Sequence, residues 1–269
     1  MKKWGVILLL ALASGCEEVI EGPNNSKSTD LIVVEGLLTN EFKNHQVKLS
    51  RPYLNQNEPS EPITSATVAI FDSNENIFVL EETPPGSGIY LTEPFRALFG
   101  RFYVLFIRYE GKEYQAFDSP PGGELLDPLV VEETEINNKT LYSIPYIRSG
   151  LNPNYISYDI DWSQTERCSP DQSCTGRLIN YDLKNTDVQE IYAPDKDVFL
   201  FPAGSRVIRK RYSLSEQHVA YLRSLLSETE WRGGLFDIDR SNIPTNLSEG
   251  AIGFFGVSTV VSDTVVVNN

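Results

Sequence analysis

The sequence predicts a mainly β protein. It reads as an N-terminal immunoglobulin/fibronectin-like β-sandwich followed by a second antiparallel β domain that carries one amphipathic helix. Three observations predict this. Short runs rich in Val, Ile, Tyr and Phe alternate apolar with polar residues. Turn residues punctuate these runs about every ten positions, the spacing of a sandwich. Only one stretch, near 214–231, carries apolar residues at helical spacing.

Taken in order, the chain starts with Lys2 and Lys3, then a ten-residue apolar run, WGVILLLALA, at 4–13. As a helix this run would rise about 15 Å, half of a ~30 Å hydrocarbon core. A basic start, a short apolar run and small residues before a break make residues 1–15 a lipoprotein signal peptide. Ala13-Ser14-Gly15-Cys16 resembles the bacterial lipobox, with Ala in place of the commoner Leu at its first position. The resemblance implies that Cys16 becomes the acylated N-terminus and holds the protein to outer-membrane lipid through its acyl chains, since two or more chains give stable anchoring. Glu17 and Glu18 resemble the surface-export signal of Bacteroidota lipoproteins, which implies an outer-membrane location facing the cell exterior. Residues 16–30, ending in the polar run PNNSKSTD, are expected to be a flexible tether.

The first body, 31–122, reads as seven strands: 31–38, 45–53, 65–72, 77–82, 89–95, 101–109 and 112–119. In the second, Val47 and Leu49 point inward against Gln46, Lys48 and Ser50. Turns at Ser73-Asn74-Glu75-Asn76, at 84–88 (PPGSG) and at Glu110-Gly111 separate neighbours. Pro120-Pro121-Gly122-Gly123 reads as the boundary.

The second body, 123–269, begins with strands at 128–136, 140–147, 154–162, 176–183, 190–193 and 197–203. Tyr155, Ser157, Asp159 and Asp161 alternate with Ile156, Tyr158, Ile160 and Trp162, which predicts one wet face. Arg206, Arg209, Lys210 and Arg211 form the only basic cluster, expected to face solvent or pair with local acids. In SLSEQHVAYLRSLLSETEW, Ser213 and Glu216 form a capping-box pattern with Ser213 as N-cap. Leu214, His218, Tyr221, Leu222, Leu225 and Leu226 make the buried stripe, expected to pack on the second sheet. The tail, 250–267, closes as two β-rich segments.

Composition excludes some functions. A net charge of −14, which cleavage at Cys16 makes more negative by removing Lys2 and Lys3, disfavours nucleic acid and anionic headgroups. Two further cysteines, Cys168 and Cys174, flank a Pro-Asp turn. In an oxidising compartment they favour a disulfide, which in a loop this small would stabilise by roughly 2–3 kcal/mol. Two free thiols or half a metal site stay open, although the spacing is wide for a zinc pair and no second pair exists.

No catalytic set is legible. Of two histidines, His218 lies on the apolar face of the helix and is expected to be packed; His45 starts a strand and is expected to be exposed. There is no nucleophile elbow, phosphate loop or dinucleotide fingerprint. Grouped acids (Glu132, Glu133 and Glu135; Asp159 and Asp161; Asp237 and Asp239) are expected as solvated faces in so acidic a chain. Paired glycosidase carboxylates, or a calcium site at Asp159 and Asp161, are the sharper readings. Asp263-Thr264-Val265 resembles a Bacteroidota O-glycosylation acceptor. Tyr53, Tyr90, Tyr109, Tyr142, Tyr146, Tyr155 and Tyr158 fall near strand ends, where tyrosines either cover the ends or build interfaces and stack on sugars.

The run GGLFDIDRSNIPTNLSEGAIGFFGVSTV at 233–260, with SATVAIFD, GSGIY and GRFYVLFIRYEGKEYQAF in the first half, resembles an uncharacterised Bacteroidota outer-membrane lipoprotein family, a domain of unknown function found beside TonB-dependent transporters. The chain departs from it in its FDIDRSNIP stretch and in being short. The resemblance implies a non-catalytic accessory or ligand-capture subunit of a TonB-dependent outer-membrane transporter barrel, with no cofactor and no enzyme activity. The alternative is a stand-alone surface adhesin or glycan-binding module.

Overall fold

The computed structural model describes residues 30–53, 58–169, 173–195, 197–234 and 243–268. The signal peptide, Cys16, Glu17-Glu18 and all but the last residue of the tether lie outside the described residues, as do Asp237 and Asp239. The protein is mainly β and sandwich-like, with several antiparallel sheets and two helices among the described residues.

All seven strands expected in the first body form: β1 (Ile32–Thr39), β2 (Gln46–Ser50), β3 (Thr67–Asp72), β4 (Ile77–Glu82), β5 (Ile89–Thr92), β6 (Tyr103–Tyr109) and β7 (Lys112–Asp118). β5 stops before Pro94, which lacks the N–H a ladder needs. The second body contributes β8 (Glu132–Ile136), β9 (Lys139–Ser143), β10 (Asn154–Asp161), β11 (Thr175–Asp182), helix α1 (Val188–Ile191), β12 (Phe201–Pro202), β13 (Arg206–Ser213), helix α2 (Glu216–Glu228), β14 (Ala251–Ser258) and β15 (Val260–Val266).

Three of these differ from the sequence reading. The expected strand at 190–193 does not form: Val188–Ile191 make the short α1, whose preceding Asp187 is held by Arg223 of α2 (2.8 Å). The basic run is itself a strand, β13. The strand was not expected, but of the two expectations for the cluster, pairing with local acids holds: the buried Arg209 and Arg211 meet Asp263 and Asp127, and Lys210 meets Glu41. Ser213 does not cap α2: its Oγ accepts from the Thr259 N–H (2.9 Å). The cap is Ser215, whose Oγ accepts from the His218 N–H at 3.3 Å.

The strands form an eight-stranded sheet ordered β14-β1-β2-β5-β4-β3-β6-β7, a four-stranded sheet ordered β11-β10-β13-β15, and a three-stranded sheet ordered β12-β9-β8. A division at 122/123 would place residues 251–258 in the second body; in the structure they pair in parallel with β1 along its whole length. The eight-stranded sheet then rolls until its two outer strands approach. Side chains close the seam where a ladder does not. Asn246 bonds both the N–H and the C=O of Phe255 and the carbonyl of Phe117, and Asp118 accepts from the Val257 N–H at 2.9 Å. Inside lie Ile32, Val34, Leu38, Val47, Leu49, Ile70, Leu105, Ile107 and Phe255. Each contributes about 1.5–3 kcal/mol by leaving water.

A second core, with Tyr142, Ile156, Tyr158, Ile160, Phe201 and Val207, fills the space between the other two sheets. Residues 124–131 cross over it as a strap. Arg209 bonds Asp263 and the Asp127 carbonyl, and Arg211 bonds the carbonyl of Leu125 and Ser149 Oγ. Two buried guanidinium groups are tolerated because these partners surround them. Among the described residues, no helix is long and apolar enough to cross a membrane.

Phe255 is fully buried on β14. Phe255→Ala should cost about 3–5 kcal/mol, read as a lower urea midpoint at an unchanged slope. A loss under 1 kcal/mol would mean that β14 is not part of the first core.

Candidate functional site

The join between the two bodies shapes the best candidate site. β14 and β15 are consecutive, so one short segment passes from the first sheet to the second. Thr259 sits at the crossing, with its Oγ1 on the Pro121 carbonyl (2.6 Å), while Ser258 Oγ bonds the Ser213 carbonyl (2.8 Å). Asn40 clasps the N–H and C=O of Val260. Beside it Lys210 reaches Glu41 at 2.6 Å. Burial alone would raise the Glu41 carboxyl, but hydrogen bonds from Lys210 and Lys43 outweigh it and bring its pKa down to about 2.

α2 wedges into this corner. Val219, Leu222 and Leu226 pack with Leu183, Tyr155 and Tyr181 of the second body. His218 and Tyr221 stack on Phe254 of β14, at 4.7 and 5.0 Å. So the helix packs on both sheets, not on the second alone. Gly256 allows it: a Cβ there would stand 3.0 Å from the His218 ring.

Between the helix, β1, β14 and the second sheet lies a groove of about 610 Å³, within the usual range of ligand clefts. One wall is the cross-strand pair Tyr181–Tyr155, set by the register of β11 and β10, and Tyr212 of β13 continues that row outside the lining. Tyr155 and Tyr212 stack at 4.5 Å. The other wall is Tyr221, Phe254 and His218, and the rim carries Glu35, Lys43, Asn44 and Gln46. The hydroxyls of Tyr155, Tyr181 and Tyr221 make no hydrogen bond with any described residue. Burial pushes all three phenols up, with Tyr212 and Tyr181 adding to the rise at Tyr155. They therefore stay protonated and can donate. A larger cleft of about 730 Å³ beyond α2 has no aromatic lining, and its Lys184 and Arg223 are taken by Asp182 and Asp187.

The structure scatters most residues singled out from sequence. Cys168 and Cys174 are joined in a disulfide with Cα atoms 5.7 Å apart. Asp159 is engaged by Arg177 at 2.6 and 3.1 Å, and Asp161 accepts from the Ser163 N–H. Among the described residues no group of three His, Cys, Asp or Glu side chains is placed to hold a metal. Glu132, Glu133 and Glu135 line the exposed edge strand β8, where charge blocks strand addition. Asp263 pairs with Arg209. Of the tyrosines, Tyr90, Tyr142 and Tyr158 are buried and Tyr53 and Tyr146 exposed; Tyr155 alone of that set lines the groove. Sequence reasoning missed Tyr181, Phe254, Asn44 and Gln46 as site residues. The available signal was the Tyr-rich alternation of three strands whose pairing is not local.

His45 corrects an expectation. It is buried, edge-on to Phe95 with Nε2 3.0 Å from the Phe95 carbonyl, because the loop before β2 folds under β5. Burial lowers its pKa to about 4, the Phe95 carbonyl opposing. Burial likewise lowers His218 to about 4.

The family described as Domain of unknown function (DUF4249) matches residues 17–264, and the chain belongs to that family. No curated protein matches it.

Both histidines have folded pKa values below the ordinary 6.5. The unfolded chain therefore takes up protons first as pH falls, and stability should be full above pH 6.5 and decline toward pH 4. The Glu41 contribution is present above its ordinary 4.5 and lost as pH falls toward 2. Melting temperature against pH should show the first decline, and His218→Phe should remove about half of its slope. A flat profile between pH 6.5 and 4 would contradict the buried, neutral histidines.

Proposed function

We propose that this member of the DUF4249 family is a lipid-anchored protein of the outer-membrane surface that serves a TonB-dependent transporter as a non-catalytic accessory and ligand-capture subunit. The observation that carries the docking half is an apolar outer face on the first sheet. Ile77, Phe71, Val104 and Phe117 stand directly opposite one another across β4, β3, β6 and β7, and Val79, Ala69 and Phe106 form the next row. Ile77, Val79 and Phe117 are 60%, 61% and 57% exposed. Contiguous apolar surface of this kind marks a protein interface. The capture half is supported by the groove, whose open face lies at the corner between the bodies.

The lipobox-like Ala13-Ser14-Gly15-Cys16 supplies the tether. Confinement to one bilayer raises the effective concentration of the protein at a barrel in the same membrane, so a modest interface suffices. Glu17 and Glu18 support placement on the outer face.

Affinity purification of the tagged protein from membranes in mild detergent should recover a transporter-sized β-barrel. Val79→Lys with Phe117→Lys should cut that recovery about tenfold at an unchanged melting temperature, and Cys16→Ser should move the protein into the soluble fraction. Repeated purifications that recover no barrel would overturn the docking reading. Full membrane retention of the Cys16→Ser protein would overturn the anchor.

A further inference from the structure

We infer that the aromatic groove between the two bodies binds a neutral oligosaccharide. The inference rests on the capture reading above in taking the groove as the ligand site, and adds the class of ligand. Three features of the groove select that class.

The first is charge. The protein is strongly acidic, yet among the described residues the groove offers no unpaired charge. Glu35 on its rim is met by Lys48 at 2.9 Å, and Lys43 by Glu41 at 2.8 Å. A charged ligand would have to break one of these pairs, whereas a neutral one leaves both intact. The second is the pairing of ring and hydroxyl. Tyr155, Tyr181 and Tyr221 each present a half-buried ring with a protonated phenol that no described residue engages. The three hydroxyls open to solvent rather than being buried, so each is placed to exchange water for a ligand rich in hydroxyls. A pyranose has an apolar C–H face to lie against a ring and hydroxyls around its edge for phenols and for the rim amides of Asn44 and Gln46.

The third feature separates a sugar from a peptide. An extended peptide would bind by adding to the nearest sheet edge, β11. The edge carbonyl of Tyr181 beside the groove already accepts from the Tyr146 hydroxyl at 2.7 Å, which blocks strand addition there. The groove is left as a side-chain site, which a glycan fits and a β-peptide does not.

The test uses the full chain carrying Cys16→Ser, purified without a lipid anchor. Cellohexaose, maltohexaose, xylohexaose and mannohexaose are the neutral probes; hexagalacturonate and a hexa-alanine peptide are the comparators. Calorimetry should find a neutral hexasaccharide that binds with an affinity unchanged between about 0.05 and 0.5 M salt. Tyr181→Ala and Tyr221→Ala should each weaken it about tenfold, while Tyr181→Phe, which keeps the ring, should weaken it less. Tyr53→Ala, on an exposed tyrosine outside the groove, should leave it unchanged. Circular dichroism confirms that each variant is folded. No binding by any neutral probe, binding indifferent to both alanine variants, or salt-sensitive binding of the galacturonate or peptide alone would overturn the inference. Loss of glycan binding with barrel recovery intact sinks the ligand class and leaves the docking proposal. The reverse result sinks the docking proposal and leaves this one.

Discussion

The structure depends on one chain crossing. Residues 251–258 run beside β1 in the first sheet, and after Thr259 residues 260–266 run beside β13 in the second. Two sheets that share a continuous strand pair cannot turn freely about a linker. Little slack separates β14 from β15, and three distant segments bond the crossing: the side chains of Asn40 and Ser213 and the main-chain carbonyl of Pro121. The Glu41–Lys210 pair adds a contact of opposite charge at the same join. The boundary expected at Pro120-Pro121-Gly122-Gly123 is thereby bridged by a second connection between the sheets.

That geometry places α2. The helix has no sheet of its own: its histidine and tyrosine meet β14, and its leucines meet the second body. The groove exists because the helix holds two aromatic walls apart at the corner where the sheets diverge. Its neutrality in a chain of net charge −14 follows from local pairing on strands β1 and β2 and the loop between them. On the opposite flank the strap at 124–131 is fixed by Arg209 and Arg211, whose terminal nitrogens meet main-chain carbonyls, acids and Ser149.

What could be read from the sequence was whatever local pattern decides. The strands of the first half announce themselves by alternation and by turns such as Glu110-Gly111, and all seven form. The helix is visible from its stripe, although its cap lies two residues later than the capping-box pattern suggests, because β13 consumes Ser213. Long-range choices were not legible. Nothing near Phe255 says that it will pair in parallel with Gly36, more than two hundred residues earlier. β13 was hidden by its arginines, whose choice between solvent and local acids is decided only by Asp263 and the strap. The groove escaped notice for the same reason. Tyr155, Tyr181 and Tyr212 become neighbours only through the register of three strands, and His45 goes under β5 only once the Phe95 carbonyl is there to meet it.

The account therefore turns on whether the two bodies open as one. Native-state hydrogen exchange followed by mass spectrometry, at rising urea, measures this directly on peptides spanning 32–39 in the first sheet and 206–213 in the second. The shared strand pair predicts that both sets of amides converge on a single opening free energy with a single urea slope. Two separate free energies, with the first sheet still protected after the second has opened, would contradict it.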